Sequence, residues 1–187
     1  VHRLDRDTSG CLLLAKGLAA ARHFDTQFQD GAVTKKYVAL VDGLPVEDRF
    51  TIDAWLGPDR KRLGKVVASN EKARGFREAH TAVAVRTRFA RHALVDLWPA
   101  TGRTHQLRVH LASVGHPIVA DADYGGEPLL LSLLKDHYKL RRGVAERPLL
   151  GRMFLHAERV EFTDVDGRAC AVEAPLPRDL AAALRKV

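Results

Sequence analysis

Short apolar stretches alternate with polar, glycine-containing breaks along the chain, and the spacing of the apolar positions predicts the type of each element. Residues 80–89 and 92–100 alternate apolar and polar positions around a tight break, and residues 154–163 and 168–174 do so around Asp166-Gly167. Alternation with a period of two on both sides of a short polar break predicts an antiparallel hairpin. Apolar or alternating runs predict three further strands, at residues 11–16, 35–43 and 49–57.

Helical spacing, with apolar residues three or four positions apart, predicts four helices. They lie at residues 17–30, 104–114, 128–140 and 177–186. Residues 58–78 are polar, basic and glycine-containing, which favours a loop with one short strand. Strands that come in hairpins and are interrupted by isolated helices predict an α+β fold. We expect a mostly antiparallel, mixed β-sheet with flanking helices, in a single domain over residues 1–187.

The net charge of the chain limits its possible functions more than its length does. The 187 residues carry 30 Lys and Arg against 23 Asp and Glu, a formal net charge of +7, with a pI of about 9.7. A basic domain attracts polyanions, most often nucleic acid, although many proteins are mildly basic without such a partner. No stretch approaches the ~20 apolar residues of a membrane-spanning helix. Two distant cysteines, Cys11 and Cys170, argue against a disulfide framework and favour a cytoplasmic protein.

Several familiar catalytic patterns are absent from the sequence. His105 and His110 are five residues apart, which places them on different faces of a helix, and no Glu lies in a zinc-protease position between them. Gly125-Gly126 does not stand in the context of a phosphate-binding loop. Ser9 precedes a glycine without the G-x-S-x-G pattern of a hydrolase. We therefore expect neither a metal site nor a serine nucleophile.

Asp5 and Arg108 are the charged residues with the strongest claim to a chemical role. Asp5 stands between two arginines just before an apolar run, and Thr8-Ser9-Gly10 closes the stretch like a turn. Its carboxylate is placed to face a cleft, although an aspartate in such a setting, taken alone, is more often a turn-capping or salt-bridged residue. Arg108 lies next to Leu107 on the apolar stripe of the helix predicted at 104–114, so its stem is partly buried. A guanidinium in that position needs a fixed anion, either a surface carboxylate or a catalytic aspartate.

Four blocks of the sequence resemble those of the RluA-type pseudouridine synthases, in the same order along the chain. They are "HRLDRDTSG" at 2–10, "KKYVALVDG" at 35–43, "GRTHQLRVHLASVGHPIVADADYGG" at 102–126, and "FLHAERVEF" with "APLP" within 154–177. The resemblance implies the pseudouridine synthase catalytic fold. It also implies isomerisation of uridine to pseudouridine in structured RNA, without cofactor or metal. Members of this family carry a further strand-rich segment before the first block, so we expect the N-terminal part of the domain to be missing from these 187 residues.

The resemblance also assigns roles to individual residues. It implies that Asp5 is the catalytic aspartate, that Tyr37 stacks on the target base, and that Arg108 pairs with the aspartate. Arg3 matches the arginine that fills the gap left by the flipped nucleotide, and Leu155 falls where an apolar residue lines the uracil pocket. Tyr37 is also a candidate base for the C5 proton. Whether Asp5 attacks the sugar or takes a proton from it stays open.

Three functions are compatible with these residues. The first is an RNA pseudouridine synthase acting on large-subunit ribosomal RNA or, second in order, on tRNA, with RNA as partner and neither a membrane nor an obligate protein partner. The second is a non-catalytic RNA-binding domain of the same fold. The third is an unrelated hydrolase that uses Asp5 with His2 or His105, although no oxyanion motif completes such a set. Arg60, Lys61 and Arg62 predict a phosphate-tracking loop, with a merely solvated charged loop as the alternative.

Overall fold

One mixed sheet forms the centre of the computed structural model, which describes residues 1–135, 137–139 and 143–187. Its eight strands are β1 (Ser9–Gly10), β2 (Thr34–Asp42), β3 (Arg49–Pro58), β4 (Val66–Ser69), β5 (Arg77–Arg88), β6 (His92–Pro99), β7 (Leu155–Thr163) and β8 (Ala169–Glu173). The helices are α1 (Leu18–Gln29), α2 (Gln106–Ser113), α3 (Leu131–Leu134) and α4 (Arg178–Leu184). The predicted α+β class is thus confirmed.

The strand order is β1-β7-β2-β6-β5-β3-β4, and β8 also pairs with β7. Every pair is antiparallel except β1 with β7, so the sheet is mixed as predicted. Both predicted hairpins form, β5–β6 and β7–β8, because each alternating pair is joined by a short polar break. The short strand expected in the 58–78 loop is β4, which pairs with the end of β3.

The main hydrophobic core joins the middle of β2 and β6 to α2, α4 and the segments around Ile118 and Phe154, and a second cluster lies where α2 packs against β3 and β5. The middle of β2 is fully buried, from Val38 to Val41, and Leu107 and Leu111 of α2 join the same cluster. The predicted stripe of α2 is only partly right. Val114 is exposed, whereas every residue from Gln106 to Leu111 is buried, so this helix is enclosed on all sides rather than on one face.

The strand predicted at residues 11–16 is wrong. Only Ser9 and Gly10 pair with β7, opposite His156 and Ala157, and from Arg159 onward the same edge of β7 is occupied by β8. The chain therefore has no edge to continue along after residue 10. As a result Leu12 and Leu14 are 46% and 73% exposed, which an apolar run in a buried strand would not be.

The helix predicted at residues 128–140 is present only as the four residues of α3, and positions 136 and 140 lie outside the described residues. Leu129 is buried, and its carbonyl accepts a hydrogen bond from the Leu149 N–H, which holds the chain extended before α3. Lys135 is extended again. The other three predicted helices are confirmed as α1, α2 and α4. Within the described ranges, no helix is long and apolar enough to cross a membrane.

Candidate active site

A cleft of about 580 Å³ opens where the N-terminal stretch, β2, β7 and the segment before α2 meet. This volume falls within the range of small-molecule and nucleotide sites. Four of the five residues singled out from the sequence line it, namely Arg3, Asp5, Tyr37 and Leu155. The fifth, Arg108, lies directly behind Asp5, with Nη1 4.0 Å from Oδ2 of the aspartate. The structure thus brings all five candidate residues together.

Asp5 stands in a turn rather than in a regular element. Its carbonyl accepts a hydrogen bond from the Thr8 N–H at 3.1 Å, and Asp7 closes the turn with φ 70°. Arg152 fixes the turn from outside, since its Nη1 donates to the Asp7 carbonyl at 2.9 Å while its guanidinium pairs with Asp179. The backbone of the turn is therefore anchored, and the Asp5 side chain faces the cleft with 20% of its surface exposed.

Gly10 lets this turn approach the sheet. The residue has φ 117°, and a Cβ at this position would lie 2.1 Å from the Ala157 carbonyl oxygen, so no other residue fits without moving β1. Ser9 adds a side-chain anchor, with Oγ 2.9 Å from Nδ1 of His156. His156 is itself held on the other side, because its Nε2 lies 2.9 Å from the Ala174 carbonyl, which can only accept a hydrogen bond. Ser9 is thus a structural residue here, in line with the absence of a hydrolase motif.

Tyr37 lies on β2 beside an irregularity in the sheet. The pairing of β2 with β7 shifts between Lys36 and Tyr37, which pair with Arg159 and Ala157, so that Glu158 is an extra residue on β7. Such bulges re-aim neighbouring side chains, and here Tyr37 faces the cleft. Burial, with the charge of Asp5 as the second cause, raises the pKa of Tyr37 to about 12. The phenol therefore stays protonated at neutral pH, which favours a stacking role over that of a base.

Leu155 and Arg3 complete the walls of the cleft in different ways. Leu155 is 2% exposed and belongs to the core as well as to the cleft, so it offers a rigid apolar surface. Arg3 is exposed, and the described residues provide no ion pair or hydrogen bond for its guanidinium. Its planar group is therefore available to a ligand.

Arg108 is paired more strongly with another aspartate than with Asp5. Its Nε and Nη2 each donate to Asp121 at 2.7 Å, and Nη2 also donates to Asp123 at 3.1 Å. The ring centroid of Tyr124 lies 4.8 Å from the guanidinium carbon. Although burial acts against its charge, the hydrogen bonds and charges of these aspartates raise the pKa of Arg108. We name Arg108, Asp121, Asp123 and Tyr124 the Arg108 cluster.

This cluster corrects one sequence-based inference. Arg108 was expected to have a partly buried stem with its guanidinium reaching out, yet the whole residue is only 6% exposed. A charge buried to this extent needs complete pairing, and Asp121, itself 2% exposed, supplies it. Asp5 lies at the outer limit of an ion pair and acts on Arg108 mainly through its charge.

Asp121, Asp123 and Tyr124 contact Arg108 behind the cleft and were not singled out from the sequence. A compact turn after Val119 places these residues. The turn is closed by the N–H groups of Tyr124 and Gly126, which both donate to the Asp121 carbonyl. Gly126 is required because a Cβ there would lie 1.8 Å from the Ile118 carbonyl oxygen. The available signal was the "ADADYGG" end of the third block, which places two carboxylates and a phenol beside a glycine pair.

Gln106 stabilises the segment that leads into α2. Its side chain is buried and makes four hydrogen bonds: Oε1 accepts from Thr101 Oγ1 and the Arg103 N–H, and Nε2 donates to the His80 carbonyl and to Thr81 Oγ1. A fully paired buried amide of this kind rigidifies its surroundings. The cleft-lining residues Arg103 and Thr104 are therefore held in place.

The basic loop before β4 is partly attached to the Arg108 cluster. Arg62 pairs with Asp59 at 2.7 Å and donates to the Asp123 carbonyl at 3.1 Å, and Lys65 forms an ion pair with the Asp123 carboxylate. The hydrogen bond from Lys65 is the largest cause that lowers the pKa of Asp123. All three cations of this loop are exposed, but the Arg62 guanidinium is held by these contacts, whereas the described residues form no ion pair with Arg60 or Lys61.

The two histidines of the hydrolase hypothesis are engaged elsewhere. His2 Nε2 accepts a hydrogen bond from the Leu13 N–H at 2.7 Å, and its ring stacks on Phe28. Nδ1 of His105 lies 2.7 Å from the Tyr124 hydroxyl. Neither arrangement presents a base to a nucleophile. Among the residues that the structure describes, no group of three metal-ligating side chains comes together either.

Comparison with known proteins identifies the class. The sequence profile of the RNA pseudouridylate synthases matches residues 1–113. The ribosomal large subunit pseudouridine synthases C of Vibrio cholerae and Escherichia coli K12 are 36% and 35% identical to this chain over its full length. The structure of human RNA pseudouridylate synthase domain containing 1 superimposes with a TM-score of 0.74 at 31% identity, covering 97% of this chain and 71% of that one. The chain belongs to the RNA pseudouridylate synthase family.

The matched relatives differ in how much of their length this chain covers. It spans 54% of the Vibrio cholerae protein and 55% of the Escherichia coli protein. It spans 73% of an uncharacterized RNA pseudouridine synthase of Zymomonas mobilis, which is 36% identical over 95% of this chain. The chain therefore corresponds to about half the length of the two ribosomal enzymes that it resembles.

Proposed function

We propose that this protein isomerises uridine to pseudouridine in structured RNA, with Asp5 as its catalytic residue. The observation that carries the proposal is the position of the Asp5 carboxylate. It faces a nucleotide-sized cleft, with the Tyr37 ring on the wall and a buried arginine 4.0 Å behind it. No metal or cofactor has a part in the proposed reaction, which breaks the N1–C1′ bond of the nucleoside, turns the uracil and rejoins it through C5.

Access to the target base requires that it leave the RNA stack, which costs a few kcal/mol. Tyr37 offsets part of this cost, because stacking of a base on an aromatic ring is worth ~1–3 kcal/mol. Leu155 packs against the edge of the bound uracil, and Arg3 occupies the space that the flipped nucleotide vacates, since a planar guanidinium stacks between bases. These three roles explain why a polar, an aromatic and an apolar residue share one cleft.

Asp5 acts on the substrate as a carboxylate anion, and Arg108 stabilises the charge of that anion. Whether the carboxylate attacks C1′ or removes a proton from the sugar, it acts as an anion. A fixed guanidinium behind it stabilises that charge without competing strongly for its oxygen atoms. The Arg108 cluster supplies such a group, because Asp121 and Asp123 hold the guanidinium before any RNA arrives.

The names of the relatives support a proposal for the substrate class. Proteins named ribosomal large subunit pseudouridine synthase C match the whole chain, and the net charge of +7 suits a polyanionic partner. We propose large-subunit ribosomal RNA as the substrate, in the cytoplasm. Mapping of pseudouridines in a strain that lacks the gene tests this point, since the missing modification should lie in that RNA. Loss from a tRNA instead would redirect the proposal.

The decisive experiment replaces Asp5 by Asn, which keeps the size of the side chain and removes its charge. Release of the C5 hydrogen from labelled uridine in RNA should fall below detection. RNA affinity should change little, because phosphate contacts supply most of it. Asp7→Asn is the matched control: Asp7 is exposed, pairs only loosely with Arg6 at 3.8 Å, and has a φ that Asn tolerates.

Two outcomes would contradict the proposal. If the folded Asp5→Asn protein converts uridine at the rate of the wild type, the catalytic assignment is wrong. If the wild-type protein binds RNA and never converts it, the protein is an RNA-binding domain of the same fold. A melting curve accompanies both assays, because Arg108 loses a neighbouring anion in the variant.

A further inference from the structure

The hydroxyl of Tyr124 joins three parts of the molecule that lie far apart in the sequence. It accepts a hydrogen bond from the backbone N–H of Val66, the first residue of β4, at 3.1 Å. It also lies 2.7 Å from Nδ1 of His105, the residue that precedes α2. The ring beneath the hydroxyl contacts the Arg108 guanidinium. One side chain thus touches the basic loop, the entrance to α2 and the counter-charge of Asp5.

The direction of these hydrogen bonds determines which nitrogen of His105 carries the ring hydrogen. A phenol donates one hydrogen, and burial raises the pKa of Tyr124, so the hydroxyl keeps its hydrogen at neutral pH. Val66 is a donor, and within the described residues the acceptor in reach of the hydroxyl hydrogen is Nδ1 of His105. A ring nitrogen that accepts carries no hydrogen of its own, so the hydrogen of a neutral His105 must be on Nε2.

The surroundings of His105 keep the ring neutral. Burial is the largest cause that lowers its pKa, the charges of Arg108 and Lys65 act in the same direction, and Asp5 and Asp121 act against them. The backbone is constrained as well, because His105 has φ 55°, an unfavourable value for a residue with a side chain. The neighbours on either side, Thr104 and Gln106, line the cleft, so a rotation at His105 would displace both.

We propose that Tyr124 is a positioning residue, which holds His105 as the neutral Nε2–H tautomer beside the Asp5–Arg108 pair. A protonated His105 would be a second cation near Asp5 and would compete with the substrate for the carboxylate. A His105 without its partner would lose the contact that fixes the left-handed residue before α2. This inference rests on the proposed function, because the Asp5 carboxylate is the group that it protects.

The test uses Tyr124→Phe, which keeps the ring under Arg108 and removes only the hydroxyl. Nitrogen-15 NMR of the histidine rings should show His105 as Nε2–H in the wild type and as a mixture of tautomers in the variant. The variant loses both hydrogen bonds of the hydroxyl, and loss of the one to His105 should lower kcat for uridine conversion by about three- to tenfold, with KM unchanged. Tyr138→Phe is the matched control, since Tyr138 is 40% exposed and lies outside the cleft.

A double-variant cycle separates positioning from simple destabilisation. His105→Asn keeps a residue that tolerates a left-handed backbone and removes the imidazole. If Tyr124 acts through His105, Tyr124→Phe should cause no additional loss of kcat in that background. An equal further loss, an unchanged tautomer in the variant, or an Nδ1–H tautomer in the wild type would overturn the inference. If the wild type converts no uridine at all, the proposed function fails, and the tautomer measurement alone decides this inference.

Discussion

The turn containing Asp5 and the Arg108 cluster face each other across 4.0 Å and are built in opposite ways. The turn has no regular secondary structure, and the described residues donate no hydrogen bond to the Asp5 carboxylate. Arg108 is buried in a helix, makes three hydrogen bonds to two aspartates and contacts an aromatic ring. The carboxylate that we propose as catalytic is thus left free, while its counter-charge is fixed from several sides.

Under the proposed function, this difference explains how the site would hold a charged Asp5 carboxylate with its oxygen atoms free for the substrate. A close, bidentate Asp5–Arg108 pair would satisfy the oxygen atoms that the substrate needs. Because Asp121 takes that bidentate position, Arg108 acts on Asp5 by charge alone, and the guanidinium is held in place before a substrate binds. The fixed side should therefore govern stability and the free side should govern catalysis.

The largest effect is expected when the fixed side is broken. Asp121→Asn removes the charge of the bidentate partner of the buried Arg108 and replaces one of its two acceptor oxygens by a donor, so it should lower the free energy of unfolding by about 3 kcal/mol. Asp123→Asn is the matched control. Because Asp123 is 43% exposed, its loss should cost no more than about 1 kcal/mol. Urea unfolding of both variants measures the difference, and equal losses would contradict the division between a fixed and a free side.

Tyr37 gives a pH-dependent test on the free side. Its pKa of about 12 in the folded state lies above the ordinary value of 10, so between these values the unfolded chain releases its proton first. Stability contributed by the neutral phenol is therefore complete below pH 10 and decreases by about 2 kcal/mol as the pH rises toward 12. Carbon-13 NMR of the ring follows the titration.

Asp5→Asn sharpens this test. The pKa of Tyr37 should fall in the variant and still remain above 10, because burial is the larger cause of the shift and Asp5 is the second. A Tyr37 pKa that does not respond to the loss of Asp5 would mean that the two side chains do not share one cleft.

Arg3 should matter for catalysis and not for folding, since it is exposed and unpaired within the described residues. Arg3→Ala should lower turnover on structured RNA by about tenfold, which corresponds to ~1.4 kcal/mol of the unstacking energy. A short unstructured RNA needs less unstacking and should be affected less. The melting temperature should not change. Equal losses on both RNAs would remove the role of Arg3 in base flipping.

The smallest effect is expected from the basic loop. Replacing Arg60 and Lys61 by Gln should reduce the slope of log K against log[salt] by about 1.5, because two phosphate contacts are lost. Arg62 is left in place, since it pairs with Asp59 and supports the Arg108 cluster. Replacing Arg91 and Arg168 by Gln is the control, because it removes the same amount of positive charge from exposed residues at the two hairpin turns. If both doubly substituted proteins show the same slope of log K against log[salt], the loop does not contact phosphates and is only a solvated charged loop.

The sequence predicts the local elements of this fold well, because each depends on neighbours in the chain. The β5–β6 hairpin follows from alternation around one break, and α2 from apolar spacing ended by Gly115. The strand predicted at 11–16 fails for a non-local reason. Its apolar residues have strand character, but the edge of β7 that they would need is already occupied by β8.

The candidate site divides in the same way. Asp5, Tyr37 and Leu155 could be found because a family resemblance assigns each to a block of sequence. The partner of Arg108 could not be chosen, since Asp5 and Asp121 are both aspartates, 103 and 13 residues away, and spacing does not say which reaches the guanidinium. A tight turn that depends on Gly126 decides it.

The anchoring of the Asp5 turn by Ser9 and His156 has a consequence for the biosynthesis of the protein. These partners are separated by 147 residues, so during translation the strand that holds the turn is made long after the turn itself. At ~5–20 residues per second, the delay is on the order of ten seconds or more. The Asp5 turn therefore lacks these anchors on the nascent chain, and under the proposed function the chain should convert no uridine until β7 has been made and has paired with β1.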